Sequence, residues 1–210
     1  MTLPAGPRIL TAFEPFGGRW SNLSALVLAR WEEAGVEKAL LPVEIAGLAA
    51  RIAKLFESRP AALVLMGESW SGKKIAVERV ALNILDAGER PDNSGFAPSE
   101  RRVLPGAPLA LEATWDADGA VEWIRARGLS AEKSYHAGAY VCNQALYLAL
   151  ALSRELAPGA AIGFLHLPAR KPWGASRRAL AMARRLSGLV GAVVRREPAG
   201  ESRRALEAAG

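Results

Sequence analysis

The chain has 210 residues but only one cysteine and two histidines, so thiol chemistry has few arrangements open to it. Cys142 lies in the stretch YHAGAYVCNQALYLALAL (Tyr135–Leu152), where a glycine-containing extended segment turns into an apolar helix. A thiol at a helix N-terminus faces the positive end of the dipole, which favours the thiolate. The same N–H groups can hold the oxyanion that forms when a thiolate attacks a carbonyl. Such a nucleophile needs an imidazole to take and return a proton, and a third group to fix the imidazole tautomer. His166 closes the apolar run AIGFLHLP and is preferred as the acid/base. His136, six residues before the cysteine, is the other candidate. The third group is sought in KKIAVERVALNI. If that run is extended, Ala76, Glu78, Val80, Leu82 and Ile84 share one face, which sets the Glu78 carboxylate among apolar side chains. A carboxylate there needs a partner, either an arginine or the catalytic histidine.

These residues must be positioned by alternating strands and helices. RILTAF (Arg8–Phe13), KALLPV, AALVLMG, KKIAVERVALNI, AEKSYHAG and AIGFLHLP read as strands. The stretches SNLSALVLARWEEAG (with Ser21 or Asn22 as N-cap), IAGLAARIAKLFESR, DADGAVEWIRARG, Val141–Leu156 and GASRRALAMARRLSGLVGAVV read as helices. DAGERPDNSGFAPSERRVLPGAP reads as a long loop. Strands alternating with helices predict an α/β fold with a largely parallel sheet covered on both faces. In such sheets the site lies beyond the C-terminal strand ends. Phe13, Phe16, Glu68, Cys142 and His166 are all expected at that edge.

Composition narrows the setting. Half the residues are hydrophobic, enough for one domain spanning residues 1–210. A single cysteine excludes an internal disulfide, and the sparse histidines offer no zinc cluster. No apolar run reaches the ~18–20 residues of a membrane span, and MTLPAGPRIL does not read as a signal peptide. A cytoplasmic protein is expected. The net charge of +6 is uneven: residues 160–210 carry ten Arg or Lys against three Glu, a net of +7. Arg177-Arg178 and Arg184-Arg185 recur on one helix face, and a basic tail begins at about residue 198. No aromatic residues interleave with them as a stacking platform requires. A solvated face is expected, with neither nucleic-acid nor membrane partners.

Five segments, TAFEPFGG, VERVALN, RPDN, AGAYVCN and GFLHLP, resemble in order and spacing the motifs of the pyroglutamyl peptidase I family. They run from Thr11 to Pro168. The resemblance implies a three-layer α/β/α sandwich and a cofactor-free cytoplasmic cysteine peptidase that removes N-terminal pyroglutamate, often as an oligomer. It implies Cys142 as nucleophile, His166 as acid/base and Glu78 as the residue that orients His166. It assigns Phe13 and Phe16 as walls of the pyroglutamate pocket.

The sequence also departs from the family pattern. The Gly-rich run after the third strand becomes GESWSGKK, with Glu68 at a position where Gln is common, and Trp70 and Ser71 in place of small residues. DARIPDN becomes DAGERPDN, which moves the arginine that the family sets near the thiol to Arg90. An ionised Glu68 facing a neutral lactam could accept from its ring N–H but could not donate to its carbonyl. On that reading Glu68→Gln improves pyroglutamyl cleavage. Two alternatives remain open: a Cys-His-Glu hydrolase of another small amide with weak pyroglutamyl activity, and a non-catalytic binding protein on the same fold.

Overall fold

The computed structural model describes residues 5–69, 72–169 and 174–194. Four parallel strands form the body of a six-stranded sheet: β1 (Arg8–Phe13), β2 (Val36–Leu41), β3 (Ala62–Ser69) and β8 (Ala161–Pro168). Two further strands, β4 (Ile75–Glu78) and β7 (Ala131–Ser134), are parallel to each other, and β4 runs antiparallel to β8. The order is β2-β1-β3-β8-β4-β7. The sheet is thus mixed but mostly parallel, as the alternation predicts.

The expected strand KKIAVERVALNI does not continue past Glu78. After Arg79 the chain leaves the main sheet, and β5 (Val80–Leu82) pairs antiparallel with β6 (Ala110–Glu112), a short strand that begins two residues beyond the end of the expected loop. The turn away brings Ala81 and Leu111 into the core beneath α4 (Val141–Leu156). The α4 and β8 boundaries coincide with the expected ones, since both are long apolar runs closed by clear stop signals.

Two layers of helices cover the sheet. On one face lie α1 (Leu23–Ala29), α3 (Ala117–Arg125), α5 (Ala175–Leu186) and α6 (Leu189–Val194), and on the other α2 (Leu48–Phe56) and α4. Strand alternation sorts the two cores: Ala62, Val64 and Met66 of β3 join the α1 side, whereas Leu63 and Leu65 join the α4 side. On β8, Leu165 and Leu167 face α1, and Ile162 and Phe164 face α4.

Local chemistry sets the helix ends. Asn22 caps α1, its side chain accepting from Ser24 N at 2.9 Å. The helix stops at Ala29, well short of Gly35, because Trp31 turns inward to full burial and Glu33 accepts from Gly188 N and Gly191 N at the start of α6. The expected closing helix is likewise two helices, broken at Ser187-Gly188, where Gly188 adopts φ 97°. α5 packs Ala179 and Ala183 inward and leaves Arg177, Arg184 and Arg185 exposed. The expected tail from about residue 198 lies outside the described residues. Among the described residues no helix is long and apolar enough to cross a membrane.

Candidate active site

Cys142 is the second residue of α4, and its sulfur is close enough to the His166 imidazole to act on its charge. His166 Nδ1 lies 2.7 Å from Glu78 Oε1. Glu78 is buried, and its second oxygen has no hydrogen-bond partner among the described residues. With Nδ1–H committed to the carboxylate, Nε2 is the nitrogen left for the sulfur. Burial disfavours charge on this imidazole, but the Cys142 sulfur and then the Glu78 carboxylate outweigh it and raise the His166 pKa to about 10. His136 is exposed, its Nδ1 accepting from Gly138 N at 3.2 Å, and takes no part in the cluster.

The antiparallel course of β4 explains how these groups meet. Ala76 pairs with His166, so Glu78 pairs with Phe164, two residues deeper along β8. The carboxylate therefore approaches the imidazole from within the sheet, and the thiol approaches from the helix above it. Gly67, paired with His166 on β3, makes room for the sulfur. A methyl group there would lie 2.7 Å from Cys142 Sγ and 2.9 Å from the Phe164 ring.

Aromatic side chains line the same face. Phe164 stacks obliquely on His166 with centroids 4.7 Å apart, and Phe13 lies 6.5 Å from Phe164. Phe16 lies 6.5 Å from Tyr140, the extended residue that precedes α4. Burial, then the Asp92 and Cys142 charges, push the Tyr140 phenol up to about 12, with Arg90 partly opposing them. Tyr140 is thus neutral, and Arg90 is close enough to act on it. Among the described residues no group of three or more His, Cys, Asp or Glu side chains could hold a metal ion.

The sequence model of pyroglutamyl peptidases matches residues 8–175. The chain belongs to the pyroglutamyl peptidase family. It is 36% identical over 165 residues to the pyrrolidone-carboxylate peptidase of Thermococcus onnurineus, covering 76% of this chain and 82% of that protein. It is 37% identical over 166 residues to that of Clavibacter michiganensis, covering 76% and 77%. The crystal structure of pyrrolidone carboxyl peptidase from Thermus thermophilus superposes with a TM-score of 0.75 at 34% identity, over 85% of this chain and 97% of that one.

Within this pyroglutamyl peptidase, several motif residues are staples between segments distant in sequence. Asn143, next to the thiol, accepts from Leu82 N and donates to the carbonyls of Leu82 and Ile84, each at 2.8 Å. Asn93 donates to Pro15 O at 3.0 Å, and Asp92 accepts from Ile45 N at 2.7 Å. Burial opposes charge on Asp92, but hydrogen bonds from Ser94, Ile45 and Phe96 hold its carboxyl below the usual range. Tyr140, Asn143, Asp92, Asn93 and Gly67 carry no site role in the sequence reading. The first four stand inside its AGAYVCN and RPDN segments, which was the available signal.

Glu68 is the residue whose placement differs from expectation. It follows Gly67 on β3, so alternation turns it to the α1 face, away from the thiol. There its buried carboxylate pairs with Arg19 and accepts from Leu23 N, the first amide of α1. Trp70 and Ser71 lie outside the described residues.

Proposed function

We propose that this pyroglutamyl peptidase hydrolyses the amide bond after an N-terminal pyroglutamyl residue by thioester chemistry at Cys142. The observation that carries the reading is the chain of contacts from thiol to imidazole to buried carboxylate. The Cys142 thiolate attacks the pyroglutamyl carbonyl carbon, and the carbonyl π electrons move onto oxygen. Tyr140 supplies no side-chain cap to α4, so the first-turn amides remain for that oxyanion. Collapse of the tetrahedral intermediate breaks the C–N bond, and the amine leaves with the proton that His166 Nε2 carried. Water then gives a proton to His166 as it attacks the thioester, and pyroglutamate departs as the thiolate is restored. Glu78 keeps the Nδ1 proton in place throughout, so that Nε2 always faces the reaction.

The substrate is a flat neutral lactam, which suits apolar walls. Phe13 and Phe16 supply them, with Tyr140 beside Phe16. Arg90 is close enough to Tyr140 for its charge to act on the phenol, which keeps it a candidate for contact with the peptide. Dye release from a pyroglutamyl anilide, beside a panel of other aminoacyl anilides, tests the reading. Turnover should be selective for the pyroglutamyl compound and abolished by one equivalent of iodoacetamide or by Cys142→Ala. Full activity of Cys142→Ala would end the thiol mechanism, and faster turnover of another anilide would favour a hydrolase of a different small amide.

A further inference from the structure

The half-buried Arg19–Glu68 ion pair on the far face of the sheet has a direct mechanical route to the pocket. Arg19 closes a four-residue turn whose first residue is Phe16: Arg19 N donates to Phe16 O at 3.3 Å. The two central residues, Gly17 and Gly18, have φ of 62° and 71°. Positive φ at both central positions is the requirement of a type I′ turn, which glycine meets without steric cost. Phe16 and Arg19 are therefore the two ends of one tight, conformationally specified unit. One end faces Tyr140 beside the thiol. The other is held by Glu68, which also accepts from the first amide of α1 and directly follows the glycine that packs on Cys142.

We infer that the Arg19–Glu68 pair positions Phe16 and thereby sets affinity for the pyroglutamyl ring, without contact to the substrate. Glu68 is a positioning residue, and so is Arg19. The carboxylate suits this work because its partners are permanent. A guanidinium keeps its charge across the working pH range, and a helix N-terminus favours an anion. The far side of the turn is stapled independently, by Asn93 on Pro15 O and Asn22 on Glu14 O. That leaves the Arg19 end as the adjustable one. Loosening it changes how often Phe16 stands against the ring, while Cys142, His166 and Glu78 keep their contacts. The inference rests on the pyroglutamyl peptidase reading of the site, and it predicts the opposite of a direct Glu68–lactam contact.

Steady-state kinetics on a pyroglutamyl anilide should show KM raised about five- to tenfold in Arg19→Met, with kcat within about twofold, because binding alone is lost. Arg19→Lys should recover most of the loss, since it keeps the charge. The alkylation rate of Cys142 by iodoacetamide should be the same in all three proteins. Gly18→Ala reaches the same wall by another route. The space around its added carbon is open, so any rise in KM there reports the turn conformation. Limited trypsin digestion gives a readout that needs no substrate: cleavage after Arg19 should be at least about fivefold faster in Glu68→Gln. An unchanged KM in Arg19→Met would overturn the inference, as would a loss confined to kcat or a lower KM in Glu68→Gln. If the wild-type enzyme failed to cleave the anilide, the functional reading would fall. Unchanged trypsin cleavage in Glu68→Gln would then count separately against the anchored turn.

Discussion

Two buried glutamates, ten residues apart in sequence, sit on opposite faces of one sheet and do different work. Among the described residues Glu78 has a single hydrogen-bond partner, an imidazole whose charge depends on a proton. Glu68 has a guanidinium and a backbone amide. The same carboxylate chemistry gives a proton-responsive pair in one place and a fixed strut in the other. The partner decides the role. Burial alone would have ranked the two together.

The largest effect expected on the Glu78 side belongs to its partner. His166→Ala should lower kcat by about 10²- to 10⁴-fold, the range for a positioned acid/base, whereas His136→Ala should cost little. An essential His136 in the kinetics would dissolve the comparison at its first term. Glu78→Gln comes next. It should lower kcat at least ~10-fold with KM near wild type, since orientation of the base is lost and binding is kept. A matching kcat loss in Glu68→Gln would show that the two carboxylates do not divide the work.

The third test uses protons. The folded His166 holds its proton to about 10, whereas an unfolded histidine releases it near ~6.5. A raised folded pKa stabilises the fold fully below ~6.5. That contribution shrinks as pH rises above this value and is gone above about 10. Glu78→Gln removes one of the partners that raise the pKa, so thermal melts should show a weaker pH dependence across that window. Glu68→Gln should leave the dependence intact, and a slope altered equally in both variants would break the distinction. The smallest effect is expected from Arg177→Ala on the exposed face of α5, which should leave kcat/KM within about twofold.

The contrast between the two glutamates also marks how far the sequence could be read. Cys142 and His166 were legible because one opens and the other nearly closes a long run with clear boundaries, and strand-end logic sends both to one edge. Glu78 was legible as a carboxylate in need of a partner. Its place two residues below His166 was not, because it depends on β4 running against β8, a pairing between segments some ninety residues apart. Glu68 illustrates the opposite failure. The strand AALVLMG is apolar on both faces, so its alternation carries no sign of which face meets which helix. Only the packing of α1 on one side and α4 on the other assigns it. The staples by Asn93 and Asn143 were hidden for a related reason: an amide bonding a distant backbone leaves no periodicity in the sequence.

Asn143 has a consequence for how the molecule comes apart. Its three bonds clamp the first turn of α4 to Leu82 and Ile84, four and six residues beyond Glu78. Nucleophile and carboxylate are thus sewn to one short piece of chain, and neither can move far while the other stays. Local fluctuations that open one should open both. The amides of residues 82–84 and of the α4 first-turn region should then exchange with solvent deuterium as a single cooperative unit, and the site should be either whole or absent.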